Sequence, residues 1–274
     1  MKIFIDSARL DEIEKAYGYG IIDGVTTNPS LLKKAVDKLQ ESGQKITISK
    51  YIKKILKTAK GTPVSLEVTE NKQDKMIVQA KKLYKMFNPI ANNVCIKIPV
   101  NPSFPNEEGR DFEGIKAIKT LSKAGIPVNC TLIFTPEQAL LAAKAGAKYV
   151  SPFAGRIDDY IRSNNKLSFN KSDYFPAEGW DADDQIFEDN GVVSGVDLID
   201  QIVEIFYIYD IETEVIAASI RNTRQARESA LAGADIATLP YSVIMQLLVH
   251  YKTQEGMKKF TDDIVPEYAE LTKD

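Results

Sequence analysis

An α/β fold is what this sequence predicts, on three observations. Short apolar runs alternate with amphipathic helical stretches from one end to the other, the pattern of repeated strand–helix units around a parallel sheet. Eight such runs are legible. The length, 274 residues with 44% hydrophobic content, suits one closed barrel of about 250 residues. The expected architecture is a single (β/α)8 TIM barrel over residues 1–274, with an inserted loop after strand 6 at about 161–193. An open doubly wound sheet is the alternative, but the spacing G-x-G-x-x-G is missing after the first strand.

The strands are expected, in order, over Lys2 to Asp6, Gly24 to Thr27, Val64 to Thr69, Val94 to Pro99, Val128 to Phe134, Tyr149 to Phe153, Val215 to Ile220 and Ile236 to Pro240. Each is a short run rich in Val, Ile, Leu or aromatic residues, as strands covered on both faces require. Helices are expected between them, among others over Gly114 to Ala124, Pro136 to Ala145, Val196 to Tyr209 and Thr223 to Ala232. Thr135-Pro136 reads as an N-cap followed by Pro at the first helical position, and Gly125, Gly146 and Gly233 follow helix ends.

Ile161 to Val193 breaks the rhythm. From Asp173 to Asp189 it carries seven acids and no Lys or Arg, with Tyr174, Phe175 and the single tryptophan, Trp180, nearby. Following a strand's C-terminal end, it belongs over the face where barrel active sites sit, as a lid or a surface loop. Near the C-terminus, the only histidine, His250, falls at the end of the helical pattern Val243 to Tyr251 and reads as a helix-surface residue; a further helix is expected over Thr253 to Ile264.

Composition excludes several functions. A net charge of -3, without a basic stripe, speaks against nucleic acid and leaves small molecules or proteins as partners. One His and two separated Cys provide no Ser-His-Asp triad, no zinc site and no metal-dependent aldolase site, so neither metal nor cofactor is expected. Cys95 and Cys130 lie in apolar strands and read as buried free thiols of a reducing cytoplasm. Asp6 comes too early for a signal peptide, and no apolar stretch reaches the roughly 18 residues of a membrane helix, so a cytoplasmic, membrane-free protein is expected.

Lys97 stands out, in the apolar run Val94-Cys95-Ile96-Lys97-Ile98-Pro99-Val100. A lysine in a buried strand is costly unless paired or neutral. Burial disfavours the ammonium form, and a neutral amine is a nucleophile toward carbonyls, which points to Schiff-base chemistry; a strand-end lysine snorkelling to water is the other reading. Polar residues recur in the neighbouring strands: Asp6, Thr27, Asn28, Ser65, Glu67, Asn129, Thr131, Ser151, Ser219 and Arg221. Ser65/Glu67, Asn129/Thr131 and Ser219/Arg221 are each two apart, which places both members on one strand face. One cavity is the simplest account of the set. Only seven of the 35 basic residues are arginine, and Arg156 and Arg221 follow the two late strands, where barrels often hold phosphate. Asp6 and Glu67 supply carboxylates for proton transfer.

Seven pieces, in order, carry a resemblance: Phe4-Ile5-Asp6, Gly24-Val25-Thr26-Thr27-Asn28-Pro29, Ser65-Leu66-Glu67-Val68, Ile96-Lys97-Ile98-Pro99, Asn129-Cys130-Thr131-Leu132, Ser151-Pro152-Phe153-Ala154-Gly155-Arg156 and Ala218-Ser219-Ile220-Arg221-Asn222. With them the chain resembles the transaldolase family, and most of all its short members and the related fructose-6-phosphate aldolases. The resemblance implies a Schiff base between Lys97 and C2 of a ketose phosphate, fructose 6-phosphate or sedoheptulose 7-phosphate. Asp6 would take the C4-hydroxyl proton, and Glu67 with Thr131 would position a water. Asn28, Asn129 and Ser151 would bind hydroxyls, Arg156, Ser219 and Arg221 the phosphate, with Thr27, Ser65 and Phe153 completing the pocket. The dihydroxyacetone unit would pass to an aldose phosphate without any cofactor, as in the non-oxidative pentose phosphate pathway.

Aldol cleavage is the competing outcome. Glu67 and Phe153 resemble the transaldolase choices, where the aldolase branch resembles Gln and Tyr; a phenol could supply protons and Phe cannot. A barrel that binds sugar phosphates without turnover is the reading of another class. The acidic insertion departs from the short family pattern and, because acids repel phosphorylated sugars, is expected to face outward or toward a partner. A homo-oligomer, with the C-terminal helix packed on a neighbour, is expected from the related short enzymes.

Overall fold

The apolar runs pair side by side in the order expected of a closed barrel. The computed structural model describes residues 1–41, 43, 46–103, 111–182 and 185–271. Along the chain come β1 (Lys2–Asp6), α1 (Leu10–Gly18), β2 (Gly24–Thr26), α2 (Pro29–Glu41), α3 (Ile48–Thr58), β3 (Val64–Glu67), α4 (Gln73–Phe87), β4 (Val94–Pro99), α5 (Glu113–Lys123), β5 (Val128–Ile133) and α6 (Pro136–Ala145). Then follow β6 (Tyr149–Pro152), α7 (Ala154–Asn164), β7 (Trp180–Ala182), β8 (Gln185–Phe187), α8 (Gly195–Ile208), β9 (Glu214–Ala217), α9 (Thr223–Leu231), β10 (Ile236–Leu239), α10 (Tyr241–Leu247), α11 (Tyr251–Asp262) and α12 (Pro266–Glu270). The closed barrel runs β1-β10-β9-β6-β5-β4-β3-β2, and β7 and β8 form a separate antiparallel pair.

Strand register stacks the interior in layers. Phe4 lies beside Gly24, and Asp6 beside Thr26, which is next to Ser65 and then Cys95; Glu67 lies beside Lys97, which is next to Asn129. With a side-chain period of two, the apolar positions gather below and the polar ones above. Phe4, Cys95, Tyr149, Ile216 and Ile236 form the buried lower layer. Phe4 and Tyr149 meet edge to face with ring centroids 6.4 Å apart. Gly24 is needed here, because a Cβ on it would stand 2.6 Å from the Phe4 ring. The outward-facing Ile5, Ile96 and Ile98 of the strands share one buried core with Ile55 and Leu56 of α3 and Ile118 and Leu121 of α5, all essentially inaccessible.

Helix boundaries follow the expected chemistry. Thr135 caps α6 by accepting from the Gln138 amide, with Pro136 at the first position, and Gly146 ends it at φ 94°. Cys95 and Cys130 are buried free thiols. No helix of the described residues is long and apolar enough to cross a membrane.

Three expectations need correction. The expected seventh strand stops at Ala217 rather than Ile220, because Ala218 makes only an isolated bridge to Phe153 and Ser219 turns to φ 61°. Ile161 to Asn164, assigned to the inserted loop, are the last turn of α7, whose buried side includes the charged Asp158 and Arg162 and so breaks the apolar period. The irregular chain begins at Asn165; Asp183 and Asp184 lie outside the described residues. Finally, the C-terminal helical pattern divides before His250. That residue is the N-cap of α11, its Nδ1 accepting from the Lys252 amide at 3.1 Å.

Candidate active site

Lys97 sits on β4 with 6% of its surface exposed, and its Nζ is 3.5 Å from Glu67 Oε2 on the adjacent strand β3. The ammonium also lies 5.7 Å from the centre of the Phe153 ring. Asp6, on β1, faces the same cavity and its Oδ1 accepts from the Thr26 hydroxyl at 2.9 Å. Burial pushes both carboxyls above their ordinary range, and the Lys97 charge opposes that shift in each case. A shielded amine beside one carboxyl and sharing its cavity with another has the groups needed to add to a carbonyl and move protons around it.

The cavity, about 390 Å³, is lined by Asp6, Asn28, Lys97, Ser151, Phe153, Arg156, Ser219 and Arg221 among the residues singled out from sequence. Thr26, Leu31, Lys34, Lys171 and Thr238 also line it, and sequence reasoning passed them over. The remaining expected residues stand behind that wall. Ser151 donates to Asn129 Oδ1 at 2.7 Å, and Asn129 Nδ2 donates to Ser65 Oγ at 3.2 Å, a buried chain that fixes the Asn129 amide. Thr131 is fully buried, and its hydroxyl finds no partner among the described residues. Thr27 does not reach the cavity. Its hydroxyl donates to the Ser65 carbonyl at 2.7 Å and ties β2 to β3, so Thr26 takes the inward place beside Asp6.

The late strands carry the cationic rim. Arg156 is exposed, in the first turn of α7, with its guanidinium 4.9 Å from the Phe153 ring centre. Arg221 Nε donates to the Ser219 carbonyl at 3.1 Å, and its Nη2 donates to Asp159 Oδ2 at 3.1 Å. Ser219 and Arg221 therefore reach the cavity from a loop and not, as expected, from a strand face. Gly155 allows this loop to lie on α7: a Cβ there would be 2.2 Å from the Ser219 carbonyl oxygen. No group of His, Cys, Asp and Glu side chains among the described residues is arranged to hold a metal ion.

This geometry meets a matching family. The sequence pattern of Transaldolase/Fructose-6-phosphate aldolase matches residues 3–273. The chain belongs to the transaldolase/fructose-6-phosphate aldolase family. A protein named probable transaldolase from Chlorobaculum parvum is 44% identical over 96% of this chain and 97% of its own length. Proteins of the same name from Thermoplasma volcanium and Geotalea daltonii are 39% and 44% identical, again over 96% of this chain, and over 95% and 97% of their own lengths. As a transaldolase-type enzyme, the protein presents its buried lysine and its cationic rim at the strand ends where barrel enzymes place their chemistry.

Proposed function

We propose that the protein is a transaldolase that moves a dihydroxyacetone unit from a ketose phosphate to an aldose phosphate through a Schiff base on Lys97. The observation that carries this reading is the Lys97 amine, 3.5 Å from Glu67 in a cavity that also holds Asp6. The amine adds to C2 of fructose 6-phosphate or sedoheptulose 7-phosphate, water leaves, and the iminium draws electrons from the C3–C4 bond. Asp6 takes the C4-hydroxyl proton as that bond breaks and the aldose phosphate departs. Dihydroxyacetone remains on Lys97 as an enamine, which attacks the aldehyde of an acceptor such as erythrose 4-phosphate. Asp6 returns its proton to the new alkoxide, and hydrolysis of the iminium frees the product.

Glu67 and Thr131 position the water through which protons move, consistent with the unpartnered Thr131 hydroxyl. Asn28 and Ser151 bind the sugar hydroxyls, with Asn129 orienting the Ser151 hydroxyl from behind the wall; Arg156, Ser219 and Arg221 take the phosphate. No cofactor enters these steps. Transfer is favoured over cleavage because the ring 5.7 Å from the Lys97 amine is Phe153, which has no proton to give the enamine. The reaction belongs to the non-oxidative pentose phosphate pathway of the cytoplasm. A homo-oligomer accords with α11, which buries none of its residues while exposing Tyr251, Met257 and Phe260.

Borohydride tests the reading by reducing an imine to a stable amine. Fructose 6-phosphate with borohydride should leave a dihydroxyacetone-sized adduct on the Lys97 peptide. Its absence from a folded, substrate-bound sample overturns the proposal.

A further inference from the structure

We propose that Lys171 is a specificity-determining residue that selects phosphorylated sugars, acting beside Arg156 and Arg221. The inference rests on the transaldolase reading above and adds a residue from outside its motifs. Lys171 belongs to the irregular segment between α7 and α8 and lines the Lys97 cavity. The irregular segment thus presents a cation to the cavity just before its acidic stretch, whose Asp181 in β7 and Glu188 after β8 are exposed.

Its backbone is held on both sides. Two residues before it, Phe169 stacks on the Arg162 guanidinium at 4.9 Å, and Phe175 stacks on that group at the same distance. Arg162, itself 4% exposed, donates to the Asp173 carbonyl at 2.8 Å. The Ser172 carbonyl accepts from Asn222 Nδ2 at 3.4 Å, and Asn222 is also the cap of α9, immediately after Arg221. Lys171 is therefore tied to the loop that carries Ser219 and Arg221.

Charge balance calls for such a residue. A sugar phosphate is close to a dianion at neutral pH. Arg221 shares its charge with Asp159, 3.1 Å away, which leaves Arg156 as the arginine on this rim with no carboxylate partner among the described residues. Lys171 has no carboxylate partner among the described residues and lines the cavity, so it adds a second cation to the side where Arg156 stands. Lys34 also lines the cavity, but it follows β2, which lies diametrically across the barrel order from β6 and Arg156.

Replacement of Lys171 by Met tests this, with erythrose 4-phosphate and erythrose compared as acceptors at a donor concentration saturating for each form of the protein. The expected result is a KM for erythrose 4-phosphate raised about tenfold or more, with kcat and the erythrose reaction unchanged and Lys171→Arg restoring most of the loss. An equal effect on both acceptors, or on neither, overturns the proposal. If the unaltered protein neither transfers nor forms a borohydride adduct, the transaldolase reading fails, and calorimetry of fructose 6-phosphate against fructose decides the role of Lys171 alone. A phosphate-dependent loss of affinity in Lys171→Met supports it, and its absence overturns it. The side chain is exposed, so an unchanged melting temperature confirms that the variant is folded.

Discussion

Glu67 and Lys97 stand in register on neighbouring strands with their charged ends 3.5 Å apart. The pairing offsets the cost of burying either charge alone, and it leaves the amine in contact with a group able to exchange protons. Lys97→Met should abolish turnover and the borohydride adduct together. Glu67→Gln should slow turnover by about 10²–10⁴-fold and still form an adduct slowly, as mass spectrometry over time would reveal.

Phe153 places an inert ring near Lys97. Phe153→Tyr brings a phenol into the cavity, and the expected outcome is more free dihydroxyacetone per transfer event. An enzymatic assay for dihydroxyacetone, with and without acceptor, measures that ratio.

Burial raises the Asp158 carboxyl to about 7, against the Gly195 amide bond and the charge of Arg162. An acid with a higher pKa in the folded than in the unfolded chain binds more protons when native. Its contribution to stability is therefore lost as pH rises from about 4, the unfolded aspartate value, to about 7, and is flat beyond. Asp6 and Glu67, raised by burial as well, add to the same trend. Asp158→Asn should reduce the slope of melting temperature against pH in that window. An identical slope would remove Asp158 from the explanation.

Gly155 lies where a methyl group would meet the Ser219 carbonyl at 2.2 Å and Arg221 Nε at 2.6 Å. Gly155→Ala should cost about 1–3 kcal/mol through overpacking and raise KM for phosphorylated substrates more than it lowers kcat. Thermal melts and steady-state kinetics separate the two effects.

The exposed side of α11 predicts association. Light scattering should give a mass above one chain, and Phe260→Glu should lower it. A single-chain mass across micromolar concentrations would remove the homo-oligomer.

The barrel was legible because its strands, covered on both faces, are short runs dominated by apolar residues, and a polar residue inside one, such as Lys97 or Glu67, is conspicuous. The same reasoning could have found Thr26 and Thr238. In Gly24 to Thr27 the apolar Val25 faces the helices, so Thr26 is the residue that shares Asp6's side; adjacent Thr27 drew the assignment because both are threonine. Thr238 is the one polar residue of β10 and lies two places from inward-facing Ile236. Lys171 had no local signal. Its place depends on Arg162, Phe169, Phe175 and Asn222, contacts set by tertiary packing rather than by periodicity. The last turn of α7 was hidden for a related reason: Asp158 is buried on bonds to Gly195 and Gln225, so a charge occupies the position where the helical period calls for an apolar residue.

The lower layer of Phe4, Cys95, Tyr149, Ile216 and Ile236 stoppers the barrel from beneath. A vessel closed at its base has one doorway, and whatever enters must leave by the same opening. In the proposed transfer, the first aldose has to vacate that passage before the second can approach Lys97, so donor and acceptor would take turns. The order of events in the proposed cycle would thereby follow from the hydrocarbon plug at the opposite end of the barrel.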